Sequence, residues 1–132
     1  MRKKKVLSKN TAYLILYWCM STYGRSKLNG AYPDIEYKKA DYLTGDVVGH
    51  YDNIEGIIFI NKEQNDSLEE LVNTIIHEYT HYVKHSMHEY YILAKYLSDE
   101  RNPLEIDARR TAKKDSKKCL KFLKEEYKIY DE

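Results

Sequence analysis

The chain has 132 residues, 33% of them charged, with 5 Gly and 2 Pro, which argues for one helix-rich globular domain over residues 1–132 and excludes low-complexity or collagen-like chains. Lys and Arg number 22 against 21 Asp and Glu, a net charge of +1, but the signs are segregated: residues 2–5 and most of 101–124 are basic, and 34–70 is mainly acidic. No apolar run is long enough to span a bilayer, so a cytoplasmic protein with no membrane partner is expected.

At the N-terminus, Arg2-Lys3-Lys4-Lys5 ahead of the apolar stretch 12–20 imitates a signal peptide. That stretch is short, rich in Tyr and Trp, and lacks a small-x-small cleavage site. Tyr13, Leu16, Tyr17 and Met20 instead fit one helix face, predicting a packed first helix over about residues 9–23 that ends near Gly24. Cys19 and Cys119 lie far apart and outside any metal-ligand spacing, and read as ordinary buried thiols.

From residue 24 to 65, Gly30, Pro33, Gly45, Gly49 and Gly56 punctuate short segments at 31–37, 46–51 and 56–61. They predict a small sheet of about three strands. The strongest is Gly56-Ile57-Ile58-Phe59-Ile60, which ends at Asn61 just ahead of the next helix. It is expected to serve as core and as the rim of a cleft, with an unpaired edge able to hold an extended peptide.

Ser67 and Glu70 form a capping box, after which Leu68, Leu71, Val72, Ile75, Ile76, Tyr79, Tyr82 and Val83 recur at the helical period. The same helix carries His77-Glu78-Tyr79-Thr80-His81, an HExxH motif. Residues four apart share a helix face, so His77 and His81 can aim at one zinc ion, with Glu78 close enough to act as general base. At about 100° per residue the two histidines fall roughly 170–210° from the centre of the apolar stripe. Either they face water, or a second part of the chain covers them and supplies more ligands.

His85 and His88 follow. A straight helix spreads side chains at i and i+8 over about 12 Å, too far for one zinc, and the pattern HExxHxxGxxH fails because Lys84 and Met87 stand at its glycine and third histidine. Surface or cleft-lining roles are expected for both. A short helix over about 88–97 comes next, with a reversal at 98–102. Asn102 is then a good N-cap and Pro103 suits the first position of a long helix reaching about residue 127.

Glu105 in that last helix is in position to be a capping-box glutamate. It also falls in the middle of the apolar and small stripe of Ala108, Ala112, Cys119, Leu123 and Tyr127, whereas Asp107 falls roughly 200° away. A carboxylate aimed at the core needs a partner, and zinc held by two histidines is one. Glu105 is therefore read as the third ligand, with Asp107 in a supporting or solvent-exposed position. Arg110, Lys113, Lys114, Lys117, Lys118, Lys121 and Lys124 cluster opposite the stripe. They read as a solvated face, with nucleic-acid attachment through phosphates as the sharper alternative.

An HExxH helix preceded by a short sheet, then Glu105 from a later helix with Ala108 following, resembles the minimal gluzincin metallopeptidases. The ImmA/IrrE-type proteins and the small metallopeptidase-like proteins of phages are nearest in plan. The likeness runs over roughly residues 56–112 and rests on His77, Glu78, His81, Glu105 and Ala108. It implies an α+β zincin-like fold, one Zn2+, and hydrolysis of a protein or peptide substrate. SprT-type proteases use a third histidine further along, and no histidine follows His88. The resemblance also implies an oxyanion stabiliser; Tyr51, Tyr90, Tyr91 and His88 are open candidates, while Tyr79 and Tyr82 lie on the core stripe. The other functional class is a non-enzymatic binding module, phage-encoded or nucleic-acid-associated, with a structural metal or none.

Overall fold

A computed structural model describes residues 7–41 and 47–131. The basic run Arg2 to Lys5, Gly45, and Asp46 at the start of the expected second strand lie outside the described residues. Helices and a three-stranded sheet give a mixed α+β architecture, in the order α1 Lys9–Tyr23, β1 Asp34–Lys38, β2 Gly49–Asp52, β3 Ile57–Asn61, α2 Leu68–Lys84, α3 Met87–Tyr96 and α4 Pro103–Tyr127.

Helix α1 starts where Ser8 Oγ accepts the amide of Thr11 at 3.2 Å and stops at Gly24, whose φ of 81° breaks the helical path. Its buried face is Ala12, Ile15, Leu16 and Cys19, rotated from the expected one, because Tyr17 is exposed and Tyr13 and Met20 are half-buried. The cause is size and polarity. Ala12 and Cys19 allow close approach to the core, whereas Tyr13 keeps its hydroxyl at the margin and donates it to Asp34 at 2.5 Å.

The strand order is β1-β3-β2, with β1 parallel and β2 antiparallel to β3. Ile58 pairs with Ile35 on one side and Tyr51 on the other, so β3 is central. The expectation that 56–61 offers an unpaired edge is therefore wrong, and the edge strand belonging to the cleft is β2. The pairing reason is local: Asp52 accepts the amides of Ile54 and Glu55 at 2.9 and 3.1 Å, and Gly56 takes φ 68°, closing a tight turn that folds β2 back on β3.

Helix α2 lies between two layers. Its apolar stripe is buried against α1 and the sheet, with Leu71, Val72, Ile75, Ile76, Tyr79 and Tyr82 at 0% exposure and Val83 partly covered. Each of the aliphatic side chains contributes on the order of 1.5–3 kcal/mol by leaving water. Ser67 caps the helix, accepting the Glu70 amide at 3.1 Å, but the Glu70 carboxylate accepts from Asp66 rather than returning to Ser67. Asp131, from the far end of the chain, accepts the Leu68 amide at 3.1 Å and places a negative charge on the helix start.

The opposite face of α2 is covered by α4, the partner with which it packs most extensively. Asn102 caps α4 through the Leu104 amide at 3.0 Å, with Pro103 following. Ala108 and Ala112 are fully buried, as close helix approach requires. Helix α3 buries only Met87 and leaves Tyr91, Ile92 and Tyr96 exposed. Among the described residues, no helix is long and apolar enough to cross a membrane.

Candidate metal centre

Three side chains of metal-binding type, from two elements, meet where α4 crosses α2. His77 and His81 stand one turn apart on α2 with ring centroids 5.1 Å from each other, and Glu105, in the first turn of α4, reaches between them. Its Oε2 lies 3.3 Å from His77 Nε2 and its Oε1 2.5 Å from His81 Nε2. One ligand atom from each of the three falls within 4.8 Å of the others, an arrangement that could hold a metal ion. Two ligands on a tetrahedral zinc sit about 3.3 Å apart when the bonds are near 2 Å.

The donor set is tested by one atom. His81 is 3% exposed, and its Nε2 has no hydrogen-bond partner. The 2.5 Å approach of Glu105 Oε1 is closer than an ordinary N–H···O bond. A buried imidazole nitrogen left without a bond is costly, and a cation shared with Glu105 would remove the cost. Two imidazoles and one carboxylate are a nitrogen and oxygen set suited to zinc.

Electrostatics agree with the geometry. Burial opposes ionisation of Glu105, but the two imidazoles outweigh it and hold the carboxyl far below the usual carboxylate range. Glu78 differs: it is buried beside the same histidines, and burial, only partly offset by them, pushes its carboxyl upward. Its Oε2 is 4.0 Å from His77 Nε2. Two carboxyls near one point thus have proton affinities driven in opposite directions.

The centre opens on a cavity of about 470 Å³, walled by Gly49 of β2, Thr74, Glu78, Glu105 and Arg109. Among the described residues, no cluster that could hold a metal ion lines the larger hollow of about 780 Å³ between Leu68 and Tyr130 at the other end of α4. Gly49 explains how the edge strand comes so close: a Cβ there would sit 2.6 Å from Thr74 Cγ2 and 3.6 Å from Glu78 Cγ. Arg109 is held by the Asp99 carbonyl at 2.8 Å, with Nη1 3.9 Å from Glu105 Oε2.

The structure brings together His77, Glu78, His81 and Glu105. It corrects the reading of His85 as a surface or cleft-lining residue: His85 is 5% exposed, with Nδ1 3.0 Å from His81 Nδ1 and Nε2 2.7 Å from Asp107 Oδ2. A projection of α2 alone does not show that α4 covers this side. Burial lowers the proton affinity of His85, and Asp107 only partly restores it. His88 is exposed. Of the tyrosines, Tyr51 is sealed against Tyr82, while Tyr90 stands edge-on to His81 with centroids 5.0 Å apart. Burial, reinforced by Glu105, keeps Tyr90 a neutral phenol. Arg109 and Gly49 were not singled out as site residues; a glycine inside a strand was the available signal for the second. The seven cations from Arg110 to Lys124 that cluster opposite the α4 stripe are all exposed, and Lys118 and Lys121 are paired with Asp115 and Glu125.

The chain matches no family model, no curated protein and no solved structure.

Proposed function

We propose that this protein is a zinc-dependent metallopeptidase of zincin-like plan, with His77, His81 and Glu105 as ligands and Glu78 as general base. The observation that carries the reading is the unbonded, buried His81 Nε2 facing a deeply ionised Glu105, with a second carboxylate of opposite tendency at the same cavity.

Zinc held there supplies Lewis acidity toward a water molecule and a substrate carbonyl oxygen. The remaining work falls to the chain. Gly49 brings the edge strand β2 against Glu78, so an extended peptide laid along that edge by main-chain hydrogen bonds has its carbonyl carbon near the base. Glu78, whose buried carboxyl has a raised proton affinity, takes the proton of the attacking water and delivers it to the departing amide nitrogen. Tyr90, kept protonated beside His81, is the best placed of the tyrosines to donate to the developing oxyanion, and Arg109 adds positive charge at the cavity wall.

Metal analysis after dialysis against metal-free buffer, together with cleavage of a diverse peptide library, tests the proposal. One zinc per chain that is lost in Glu105→Ala, with hydrolysis present only in the zinc-loaded protein, is the expected result. Stoichiometric zinc without cleavage of any library member would mark a non-enzymatic, metal-bearing binding module instead.

A further inference from the structure

We propose that His85 and Asp107 are positioning residues that lock the ring of His81 through a two-step hydrogen-bond relay. The inference rests on the reading above only in taking His81 as a ligand through Nε2.

Glu105 lies on the Nε2 side of His81, so that nitrogen is the one offered to an ion. A neutral imidazole has one N–H, and with Nε2 used as a ligand the proton must be on Nδ1. The Nδ1 atom of His81 lies 3.0 Å from Nδ1 of His85. His85 must then accept at Nδ1 and carry its own proton on Nε2. That nitrogen lies 2.7 Å from Asp107 Oδ2 and donates to it. Among neutral rings only this assignment satisfies both bonds and leaves His81 Nε2 free to ligate. The relay runs from the ligand, through a buried ring, to a carboxylate with 38% of its side chain exposed.

Neighbouring bonds hold the relay still. His85 leaves the helix as the C-cap of α2, with its amide donating to the His81 carbonyl at 3.1 Å. Its own carbonyl accepts from Asn29 Nδ2 at 2.9 Å, and that amide nitrogen also reaches the Tyr82 carbonyl at 2.6 Å. On the other side of the His81 ring, Tyr90 stacks edge-on. The ring is therefore fixed in plane by Tyr90 and in tautomer by His85. Outer partners of this kind orient a ligating imidazole and raise its basicity. Lys84 Nζ stands 3.7 Å from Asp107 Oδ1 and keeps that carboxylate near the relay.

Competition with a chromophoric chelator measures zinc affinity in the wild type and in three variants, alongside the thermal midpoint of each metal-free protein. His85→Leu removes the acceptor and is expected to weaken zinc binding on the order of 10–100-fold. His85→Gln, whose side-chain oxygen can accept the same proton, should recover most of that loss. Asp107→Asn, at a partly exposed position, should weaken binding roughly three- to ten-fold with the metal-free midpoint unchanged. If His85→Leu does not fold, Asp107→Asn decides. Affinity equal to wild type in His85→Leu and Asp107→Asn, or in Asp107→Asn alone where the leucine variant does not fold, overturns the relay and leaves the zinc site standing; a wild type that takes up no zinc overturns both.

Discussion

Glu105 and Asp115 are two buried carboxylates on the same face of α4, at 8% and 7% exposure, and they have different company. Asp115 accepts the hydroxyl of Tyr23 at 2.6 Å, lies 3.5 Å from Lys118 Nζ, and sits near the thiols of Cys19 and Cys119. It ties α1 to α4, and among the described residues it belongs to no cluster that could hold a metal ion. Glu105 meets two imidazoles, one with an unbonded nitrogen, at the mouth of a cavity. Burial alone therefore says little about the chemistry of a carboxylate. What its oxygens face, and whether a substrate can reach the spot, separates a structural tie from a candidate centre.

The sharpest way to break this contrast is Glu78→Gln, which should cut peptide hydrolysis by about 100- to 10,000-fold in a steady-state assay while zinc content stays at the wild-type level. Asp115→Asn should leave that rate alone; a comparable loss there would erase the distinction. Leu123→Ala, in the apolar half of the α4 stripe at 0% exposure, should cost about 2–5 kcal/mol in urea unfolding without changing zinc stoichiometry. Asp115→Ala orphans the Tyr23 hydroxyl and should cost about 1–3 kcal/mol. A double-mutant cycle with Tyr23→Phe should show less than additive loss if the two groups act on each other.

Gly49→Ala sharpens the comparison from the cavity side. The new methyl meets Thr74 Cγ2 at 2.6 Å and the Phe59 carbonyl at 3.1 Å, so β2 must shift, with a loss of about 1–2 kcal/mol and slower hydrolysis. An unchanged rate would remove β2 from the substrate path. The smallest effect is confined to alkaline solution. Burial pushes Tyr51 up to about 12 and drives Tyr23 higher, with Asp115 adding to it. A raised folded value means that the stabilisation is complete below the unfolded value near 10 and is lost as pH rises through the folded one. Phenolate absorbance of these tyrosines should therefore appear together with unfolding, and early titration of either would contradict its burial.

The elements with strong local grammar were legible in the chain. Gly24 ends α1, and Asn102 with Pro103 opens α4, at the positions expected from the sequence. Both strands flanking the tight turn were anticipated, but their order was not, since pairing β1 with β3 depends on a contact between segments more than twenty residues apart. The buried face of α1 was misjudged because hydrophobic periodicity counts a tyrosine as core, although its hydroxyl favours a wet margin.

Sequence alone determined that two histidines and an acid share one helix face and that Glu105 points along the buried stripe of another, because helical period and caps are properties of neighbours in the chain. Which surfaces meet was decided only by the tertiary structure. The packing of α4 over α2 set Glu105 against His77 and His81, moved His85 from an apparent surface into a bond with His81, and brought Asp107 to its far side. Those distances depend on how two helices cross, and the crossing is fixed by side-chain volume at Ala108 and Ala112, summed over a whole interface.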